Sequence, residues 1–371
     1  MKVVIAGGGT GGHLFPGIAV AERLRQEGIK DILFIGTVNG IEARVIPREG
    51  YKIAFIRSSG IVGKSILKTL QGLLNILLSI IDSIKIIRSY RPDAVLGVGG
   101  YASFAPVLVS RFLGIPAVIL EQNSIPGLAN RVLSRLASAV CITYHESFNF
   151  FPSRKTILTG NPVRARILEG SREGGMRLFG LSPQRYTVFI FGGSSGARNI
   201  NRVVMDSLPY LVEMKEELQF LHQTGDRDYE VVKEAYRKYS MSGTVAPFIY
   251  QMPEAYAVAD LIISRAGATT LAEITALGKA ALLIPYPYAA QRHQEFNAKK
   301  LHDMGAAIMI PESELTGERL AREIKRILRD ESLRKDLEKN SRTFGRPDAT
   351  GAVVDLIETM INKKGTKNDR A

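Results

Sequence analysis

Two short apolar runs in this chain each lead directly into a glycine-rich turn, and this feature restricts the possible folds most strongly. Residues 3–6 precede the sequence GGGTGG at residues 7–12, and residues 188–191 precede GGSSGA at residues 192–197. An apolar run that ends in a glycine turn and continues with a helical pattern is typical of the strand–turn–helix unit of parallel sheets. The sequence therefore predicts an α/β fold with two such units.

The same alternation of apolar runs and helical patterns continues along most of the chain. Strands are predicted at residues 3–6, 32–35, 53–56, 94–96, 117–120 and 139–142 in the first half, and at 187–191, 218–222, 260–263 and 281–284 in the second. Their continuous apolar character predicts strands covered on both faces. Residues 93–100 also resemble residues 260–267, and residues 116–123 resemble 280–287. We therefore predict two Rossmann-like parallel-sheet domains that face each other across a cleft.

A chain of 371 residues is long enough for two such domains. The turn sequence GNPVR at residues 160–164 follows the last strand of the first half. We predict an N-terminal domain at residues 1–162, a C-terminal domain at 163–348, a helix at 349–362 that packs back on the first domain, and a flexible tail at 363–371. The tail is assigned because it has no apolar residue before its final alanine.

The formal net charge of +13 predicts an anionic partner, which leaves nucleic acid, an anionic membrane or a phosphorylated substrate. Neither zinc-finger spacing nor the aromatic and basic strand pattern of RNA-binding modules occurs, so we expect no nucleic acid partner. The single cysteine, Cys141, lies in an apolar run and predicts a buried, unreactive thiol in a reducing compartment. Residues 3–6 are too short for the apolar segment of a signal peptide, so secretion is not expected.

Glycines at the end of a strand let the backbone approach a phosphate, and the following helix presents unpaired N–H groups to it. Gly7, Gly9 and Gly12 also match the dinucleotide-binding pattern, but the second strand ends in IGTVN at residues 35–39, without the acidic ribose ligand. Neither of the glycine turns at residues 7–12 and 192–197 continues as Gly-Lys-Ser/Thr, so neither is a Walker phosphate loop. The turns therefore predict diphosphate binding without a nicotinamide or flavin cofactor and without ATP hydrolysis.

Six segments together resemble the MurG family of peptidoglycan N-acetylglucosaminyltransferases: residues 7–16, 97–103, 121–123, 160–164, 192–197 and 265–273. The resemblance runs over nearly the whole chain and implies the two-domain GT-B glycosyltransferase fold. It implies transfer of N-acetylglucosamine from UDP-N-acetylglucosamine to the C4 hydroxyl of undecaprenyl-diphosphate-linked N-acetylmuramyl pentapeptide (lipid I), which gives lipid II with inversion at the anomeric carbon. It implies no metal and no cofactor. The one Asp-x-Asp sequence, Asp226-Arg227-Asp228, is interpreted as acids at a helix start.

The resemblance also implies roles for individual residues in binding the donor. Ser194 would bond the diphosphate, Ile249 would meet uracil through its backbone beside Arg164, Glu273 would bind the ribose hydroxyls and Gln294 the sugar hydroxyls. The helix start that carries Glu273 would add backbone N–H groups from Ala268, Thr269, Thr270, Leu271 and Ala272. From the N-terminal domain, the donor sugar would be reached by Thr10, Gly11, Gly12 and Asn123.

An inverting transfer needs a base for the acceptor hydroxyl and positive potential for the departing UDP. His13 is the first candidate base, because imidazole titrates near neutrality and His13 lies where the first glycine turn enters its helix; a capping or phosphate-contacting role remains open. Glu121 is the second candidate, a carboxylate at the end of a predicted strand. Many relatives have histidine where this chain has Leu120, which argues against an imidazole mechanism there. The acceptor diphosphate would lie against Gly99, Gly100 and Tyr101.

Residues 66–87 are unusually apolar but are interrupted by polar residues (Gln71, Asn75, Asp82 and Lys85), so a membrane span is not predicted. The stretch is flanked by Lys64, Lys68, Lys85 and Arg88. We interpret it partly as core and partly as an interfacial surface on anionic lipid, at the cytoplasmic face of a bacterial membrane.

Three alternatives stay open at this point. A sugar transferase for another lipid and a UDP-N-acetylglucosamine epimerase share the predicted architecture and are separated by whether the reaction needs an acceptor. A nucleic-acid-binding protein would instead show salt-sensitive affinity for RNA or DNA and no specific UDP-sugar binding.

Overall fold

The computed structural model describes residues 1–58, 66–193 and 196–368, and the chain forms two compact units. The first unit comprises Met1–Arg164 and the chain from Arg346 onward, and the second comprises Ala165–Gly345. Each unit is built on one sheet in which every paired strand runs parallel to its neighbour. Two parallel sheets confirm the predicted Rossmann-like fold class.

The first sheet has seven strands in the order β3-β2-β1-β4-β5-β6-β7. They are β1 (Lys2–Ala6), β2 (Asp31–Gly36), β3 (Lys52–Phe55), β4 (Ala94–Gly97), β5 (Ala117–Glu121), β6 (Ala139–Ile142) and β7 (Thr156–Leu158). The helices of this unit are α1 (Gly11–Gln26), α2 (Glu42–Arg48), α3 (Ile66–Tyr90), α4 (Tyr101–Phe112), α5 (Leu128–Leu133) and the C-terminal α15 (Ala349–Asn368). The middle strands β4 and β5 are buried along their whole length, and β1 is buried at every residue except Lys2, as expected for parallel strands covered on both faces.

The second sheet has six strands in the order β10-β9-β8-β11-β12-β13. They are β8 (Tyr186–Phe191), β9 (Leu218–Gln223), β10 (Ser242–Ala246), β11 (Leu261–Ser264), β12 (Ala281–Leu283) and β13 (Ile308–Met309). The helices are α6 (Ala165–Leu168), α7 (Arg172–Phe179), α8 (Arg198–Leu211), α9 (Tyr229–Lys238), α10 (Met252–Val258), α11 (Ala268–Leu277), α12 (His293–Asp303), α13 (Gly317–Arg329) and α14 (Glu331–Phe344).

All ten predicted strands are present, and three further strands were not predicted. These are β7, β10 and β13, each of which lies at an edge of its sheet. Edge strands are short or partly exposed: β13 has two residues, and β10 is nowhere fully buried. β7 and β10 lack the continuous apolar run that marks a central strand, so the sequence pattern does not distinguish them from loops. β13 lies in the apolar run at residues 306–310, and it was not predicted although this run carries the strand signal.

The C-terminal helix α15 completes the core of the first unit. Val353, Val354 and Ile357 are buried in the same cluster as Ile5 of β1. Thr350 Oγ1 accepts from the backbone N–H of Val163 at 3.1 Å and donates to the carbonyl of the same residue at 2.8 Å. A chain that leaves the first unit after Arg164 thus returns to it at Arg346.

Two further expectations concern single features of the fold. Cys141 is buried in β6, and burial raises the pKa of its thiol to about 12, so the predicted unreactive thiol fits its surroundings. None of the helices in the described part of the chain has the length and apolar content needed to cross a bilayer.

Candidate functional site

Each sheet has one place where the strand order reverses, and the glycine turns lie there. In the first unit this place is between β1 and β4, and in the second between β8 and β11. Ligands of open α/β sheets bind outside the carboxyl ends of the strands at such switch points, because the two following helices diverge to opposite faces.

The turn after β1 is packed directly against the turn after β4. A Cβ atom on Gly7 would lie 2.5 Å from the carbonyl oxygen of Gly99, and a Cβ on Gly99 would lie 2.6 Å from Nδ1 of His13. Real side chains do not fit at such distances, so glycine at both positions is what lets the turns touch. The close approach brings His13 of α1 beside the Gly99–Gly100 turn.

Thr10 is the N-cap residue of α1, and its backbone is extended. Its carbonyl accepts from the backbone N–H of His13 at 3.2 Å and of Leu14 at 3.1 Å, and no side chain caps the helix. Gly11 and Gly12 form the first turn of this sixteen-residue helix and are half-buried. A helix start of this kind presents backbone N–H groups and a partial positive charge to an anion.

His13 has a defined tautomer because of its neighbour Gln122. Nε2 of Gln122 donates to the carbonyl of Val98 at 2.8 Å, so its Oε1 faces His13 Nδ1 at 3.2 Å. An amide oxygen only accepts, hence Nδ1 of the neutral imidazole carries the hydrogen and Nε2 carries the lone pair. A ring oriented in this way can accept a proton at Nε2.

Glu121, the last residue of β5, is only 3% exposed, and its carboxylate is surrounded by donors. Oε1 accepts from the backbone N–H of Asn123 at 3.0 Å and from its side-chain amide at 3.3 Å. Oε2 accepts from Asn130 at 2.9 Å and from the backbone of Gly127 at 3.3 Å. Burial raises the pKa of Glu121 while these hydrogen bonds lower it. In this position the carboxylate holds the loop that carries Asn123.

The remaining predicted residues of the first unit lie at two places. Gly99 and Gly100 have φ values of 94° and 74°, and Tyr101 is the exposed first residue of α4. Arg164 stacks its guanidinium over the ring of Phe15 in α1, 4.4 Å from the ring centroid. This cation–π contact fixes the Arg164 side chain against the helix that carries His13.

In the second unit, one buried glutamine links the glycine turn to the segment predicted to bind uracil. Nε2 of Gln223, at the end of β9, donates to the carbonyl of Gly193 at 3.0 Å, and its Oε1 accepts from the backbone N–H of Ile249 at 2.9 Å. The backbone N–H of Ile249 is thereby engaged within the protein. Ser194 lies outside the described residues.

The helix α11 starts at the end of β11 and carries Glu273. Gly267 precedes it in an extended conformation, and the first residues are Ala268, Thr269, Thr270, Leu271 and Ala272. Glu273 is 6% exposed, and its Oε2 accepts from the hydroxyl of the buried Tyr256 at 2.7 Å. This hydrogen bond orients the carboxylate one helical turn from the start of α11.

Gln294 lies in the first turn of α12, after a strained segment. Its Oε1 accepts from the backbone N–H of Tyr286 at 2.9 Å. The preceding Gln291 and Arg292 have φ values of 50° and 54°, a left-handed conformation that costs free energy for residues other than glycine. Gln294 keeps the predicted role in binding sugar hydroxyls as an expectation, and the strained segment directly precedes it.

Sequence reasoning missed four side chains that position these groups: Gln122, Gln223, Tyr256 and Arg265. Arg265 donates to the carbonyls of Ile284 and Pro285, each at 3.2 Å, and pairs with Glu312. Three of the four follow or end a strand, and this signal was available in the sequence. Asp228, by contrast, lies at the start of α9 as interpreted, and accepts from Asn201 at 2.8 Å.

Comparison with known proteins identifies the family. Residues 3–142 match the glycosyltransferase family 28 N-terminal domain, and residues 187–353 match the family's C-terminal domain. The UDP-N-acetylglucosamine–N-acetylmuramyl-(pentapeptide) pyrophosphoryl-undecaprenol N-acetylglucosamine transferase of Thermodesulfovibrio yellowstonii is 50% identical over 365 residues, which cover 98% of this chain and 100% of the relative. The chain belongs to the MurG family.

Solved structures agree with this assignment. MurG of Acinetobacter baumannii superposes with a TM-score of 0.76 at 33% identity, over 96% of this chain and 99% of that one. A UDP-GlcNAc 2-epimerase from Neisseria meningitidis reaches 0.68 at 15% identity, over 97% and 100% of the two chains. The second likeness shows only a shared fold. The chain is thus a glycosyltransferase with the GT-B architecture, as the sequence predicted.

Proposed function

We propose that this MurG family member transfers N-acetylglucosamine from UDP-N-acetylglucosamine to the C4 hydroxyl of N-acetylmuramyl pentapeptide on undecaprenyl diphosphate. The observation that carries the proposal is the 50% identity to a transferase of that name over 98% of the chain. The positions of His13, Glu273 and the two glycine turns fit the same reaction.

The second unit binds the donor in this proposal. The Gly192–Gly193 turn and the start of α8 take the diphosphate, with Ser194 beside it, and the carbonyl of Ile249 accepts from uracil. Glu273, held by Tyr256 at 2.7 Å, accepts from the ribose hydroxyls. The early N–H groups of α11 and the side chain of Gln294 meet the phosphate and the sugar. As UDP departs, these N–H groups stabilise its charge.

The first unit supplies the base and the acceptor site. Nε2 of His13 takes the proton of the C4 hydroxyl, the oxygen bonds to the anomeric carbon, and the bond from that carbon to UDP breaks with its electron pair on UDP. Attack opposite the leaving group inverts the anomeric carbon. Thr10, Gly11, Gly12 and Asn123 contact the donor sugar, while Gly99, Gly100 and Tyr101 contact the acceptor diphosphate. We assign Glu121 to holding Asn123 in place.

A surface on α3 supports docking on anionic lipid. Leu74, Leu77 and Ile81 are exposed by 55%, 60% and 46%, and the exposed Lys85 and Arg88 follow on the same face of the helix at separations of four and three residues. An apolar stripe that ends in cations suits a bilayer interface rather than bulk water. Lys64 and the side chain of Lys68 lie outside the described part of the structure. We therefore propose peripheral binding at the cytoplasmic membrane face.

The deciding experiment measures UDP release from UDP-N-acetylglucosamine with and without a polyprenyl-diphosphate-linked muramyl peptide. We expect release only when the acceptor is present, together with a disaccharide product. Release of equal size without acceptor would contradict the transferase proposal, and conversion of the sugar to its 2-epimer would favour the epimerase alternative.

A further inference from the structure

A buried carboxylate lies under the first glycine turn, and the proposed reaction does not use it. Glu42 is the first residue of α2 and is 1% exposed. Its Oε2 accepts from the backbone N–H of Gly9 at 2.8 Å. Its Oε1 accepts from the backbone N–H of Thr37 at 2.9 Å and from the Thr37 hydroxyl at 2.9 Å. Both carboxylate oxygens are thus bonded to groups of two different turns.

The space around this carboxylate is shaped by glycines. A Cβ atom on Gly8 or Gly40 would collide with the carboxyl group of Glu42, and a Cβ atom on Gly36 would collide with its Cγ atom. These residues come from the turn after β1, the end of β2 and the loop before α2. Three positions without side chains therefore enclose a pocket of carboxylate size, and the Glu42 side chain fills it. Such a pocket with three donors has the composition of an anion-binding site.

Glycine turns at the end of a first strand bind anions through their backbone N–H groups, and in dinucleotide-binding folds the anion is the diphosphate of the ligand. Here the N–H of Gly9 already has a carboxylate as its partner. We propose that Glu42 is an internal anion: it occupies the anion position of the first glycine turn, keeps a ligand phosphate out of it, and fixes Gly9 at the start of α1.

The position of Gly9 has a consequence for the reaction, and this part rests on the proposed function. Gly9 precedes Thr10, whose carbonyl begins α1 and accepts from the backbone N–H of His13 at 3.2 Å. A turn without Glu42 loses the bond that holds Gly9, and the start of α1 moves with it. Glu42 is therefore a positioning residue for His13.

The first experiment tests the internal anion without using activity. Glu42→Ala removes the carboxylate and leaves the three donors facing a space that acetate or phosphate can enter. We expect sodium acetate or sodium phosphate to raise the melting temperature of E42A by about 2–4 °C over sodium chloride at equal ionic strength, because an anion that binds the folded state stabilises it. Wild type and Glu49→Ala, a control at the other end of α2, serve as references. Equal shifts in all three proteins would overturn the proposal.

The second experiment tests positioning. We expect E42A to lower kcat about 10- to 100-fold, since small displacements of a catalytic group have effects of this size. The affinity for UDP should stay unchanged. Acetate, but not chloride, should partly restore kcat. Glu42→Gln keeps the size of the side chain and one of its acceptor oxygens, so this variant provides the test if E42A does not fold. If E42Q turns over as fast as wild type, Glu42 is not a positioning residue. If the wild-type protein shows no transfer, the proposed function is refuted. The melting experiment would still test whether Glu42 acts as an internal anion, because it does not depend on activity.

Discussion

Oε1 of Gln122 lies 3.2 Å from Nδ1 of His13, although 109 residues separate them in the chain. The amide is oriented by its own hydrogen bond to the carbonyl of Val98, and this orientation decides which ring nitrogen carries the hydrogen. Gln122, which is adjacent to the second candidate base Glu121, thus orients the ring of the first candidate base, His13. The contact supports the proposal that Nε2 of His13 accepts the proton.

The first prediction concerns His13 itself. His13→Ala removes the proposed base, and we expect kcat to fall about 10²- to 10⁴-fold, the usual contribution of general base catalysis, while UDP affinity stays the same. Steady-state kinetics and UDP titration measure the two quantities. Gln122→Met should lower kcat in the wild-type background and have little further effect in H13A. If H13A retains wild-type turnover, His13 is not the base.

The second prediction concerns Glu121. Glu121→Gln replaces one carboxylate oxygen with an NH₂ group, which faces the N–H donors that the oxygen accepted from. A buried donor left without an acceptor lowers the free energy of unfolding by about 1–3 kcal/mol. We expect a lower melting temperature and a higher KM for UDP-N-acetylglucosamine, because the loop with Asn123 loses its support. A role as the base predicts a different pattern, with kcat reduced and both the melting temperature and KM unchanged. Thermal melts beside donor kinetics distinguish the two roles.

The third prediction concerns the proposed ribose site. Glu273→Ala should weaken UDP binding about 10- to 100-fold, since hydrogen bonds to a charged group contribute about 1.5–3 kcal/mol and each 1.4 kcal/mol is tenfold in affinity. Tyr256→Phe, which removes only the 2.7 Å bond to Oε2, should weaken it less. Isothermal titration with UDP and with 2′-deoxy-UDP isolates the contribution of the ribose 2′-hydroxyl, because the two ligands differ only in that group. Equal UDP affinity in E273A and wild type would contradict this site.

The fourth prediction concerns pH and stability. His222 is buried between Tyr236 and Asn201, and burial lowers its pKa to about 3 from 6.5. Between these values the unfolded chain binds a proton that the folded protein does not, so the free energy of unfolding falls as pH decreases from about 6.5 to 3, by on the order of 4 kcal/mol. His222→Gln should show a weaker pH dependence in urea unfolding, and the exposed His145→Gln should behave like wild type. Parallel curves for H222Q and wild type would exclude this coupling.

The fifth prediction concerns the exposed face of α3. Leu77→Glu places a negative charge in the apolar stripe and should reduce co-sedimentation with phosphatidylglycerol vesicles several-fold, because the charge opposes both burial and lipid attraction. Val231→Glu is the matched control, since Val231 is exposed by 54% on α9 of the second unit. Binding of L77E at the wild-type level, or an equal loss in V231E, would argue against this face as the lipid surface.

The strand-end positions of the candidate site follow from local sequence patterns, whereas the donor roles of Ser194, Ile249 and Gln294 were implied only by the family resemblance. Glycines after apolar runs identify strand ends, and the carboxyl ends of parallel strands meet at one edge of a sheet, so Gly7, Gly99 and Glu121 could be assigned to one region from spacing alone. The edge strands β7 and β10 could not be predicted, since their residues are only partly buried and carry no continuous apolar pattern. The edge strand β13 was missed although residues 306–310 form an apolar run.

The sequence by itself determined the two parallel sheets, the glycine turns and the family, because these depend on the order of residues along the chain. Only the tertiary structure decided which side chains form hydrogen bonds with residues that are distant in the sequence. Glu42 lies in the helix after β2, at a position that the dinucleotide fingerprint does not predict, and its carboxylate accepts from the backbone N–H of Gly9. Gln122 follows β5, which lies two places from β1 in the sheet, and its side chain contacts His13. Hydrogen bonds act over about 3 Å in space, whatever the separation in sequence, so partners of this kind are fixed only when the strands are assembled.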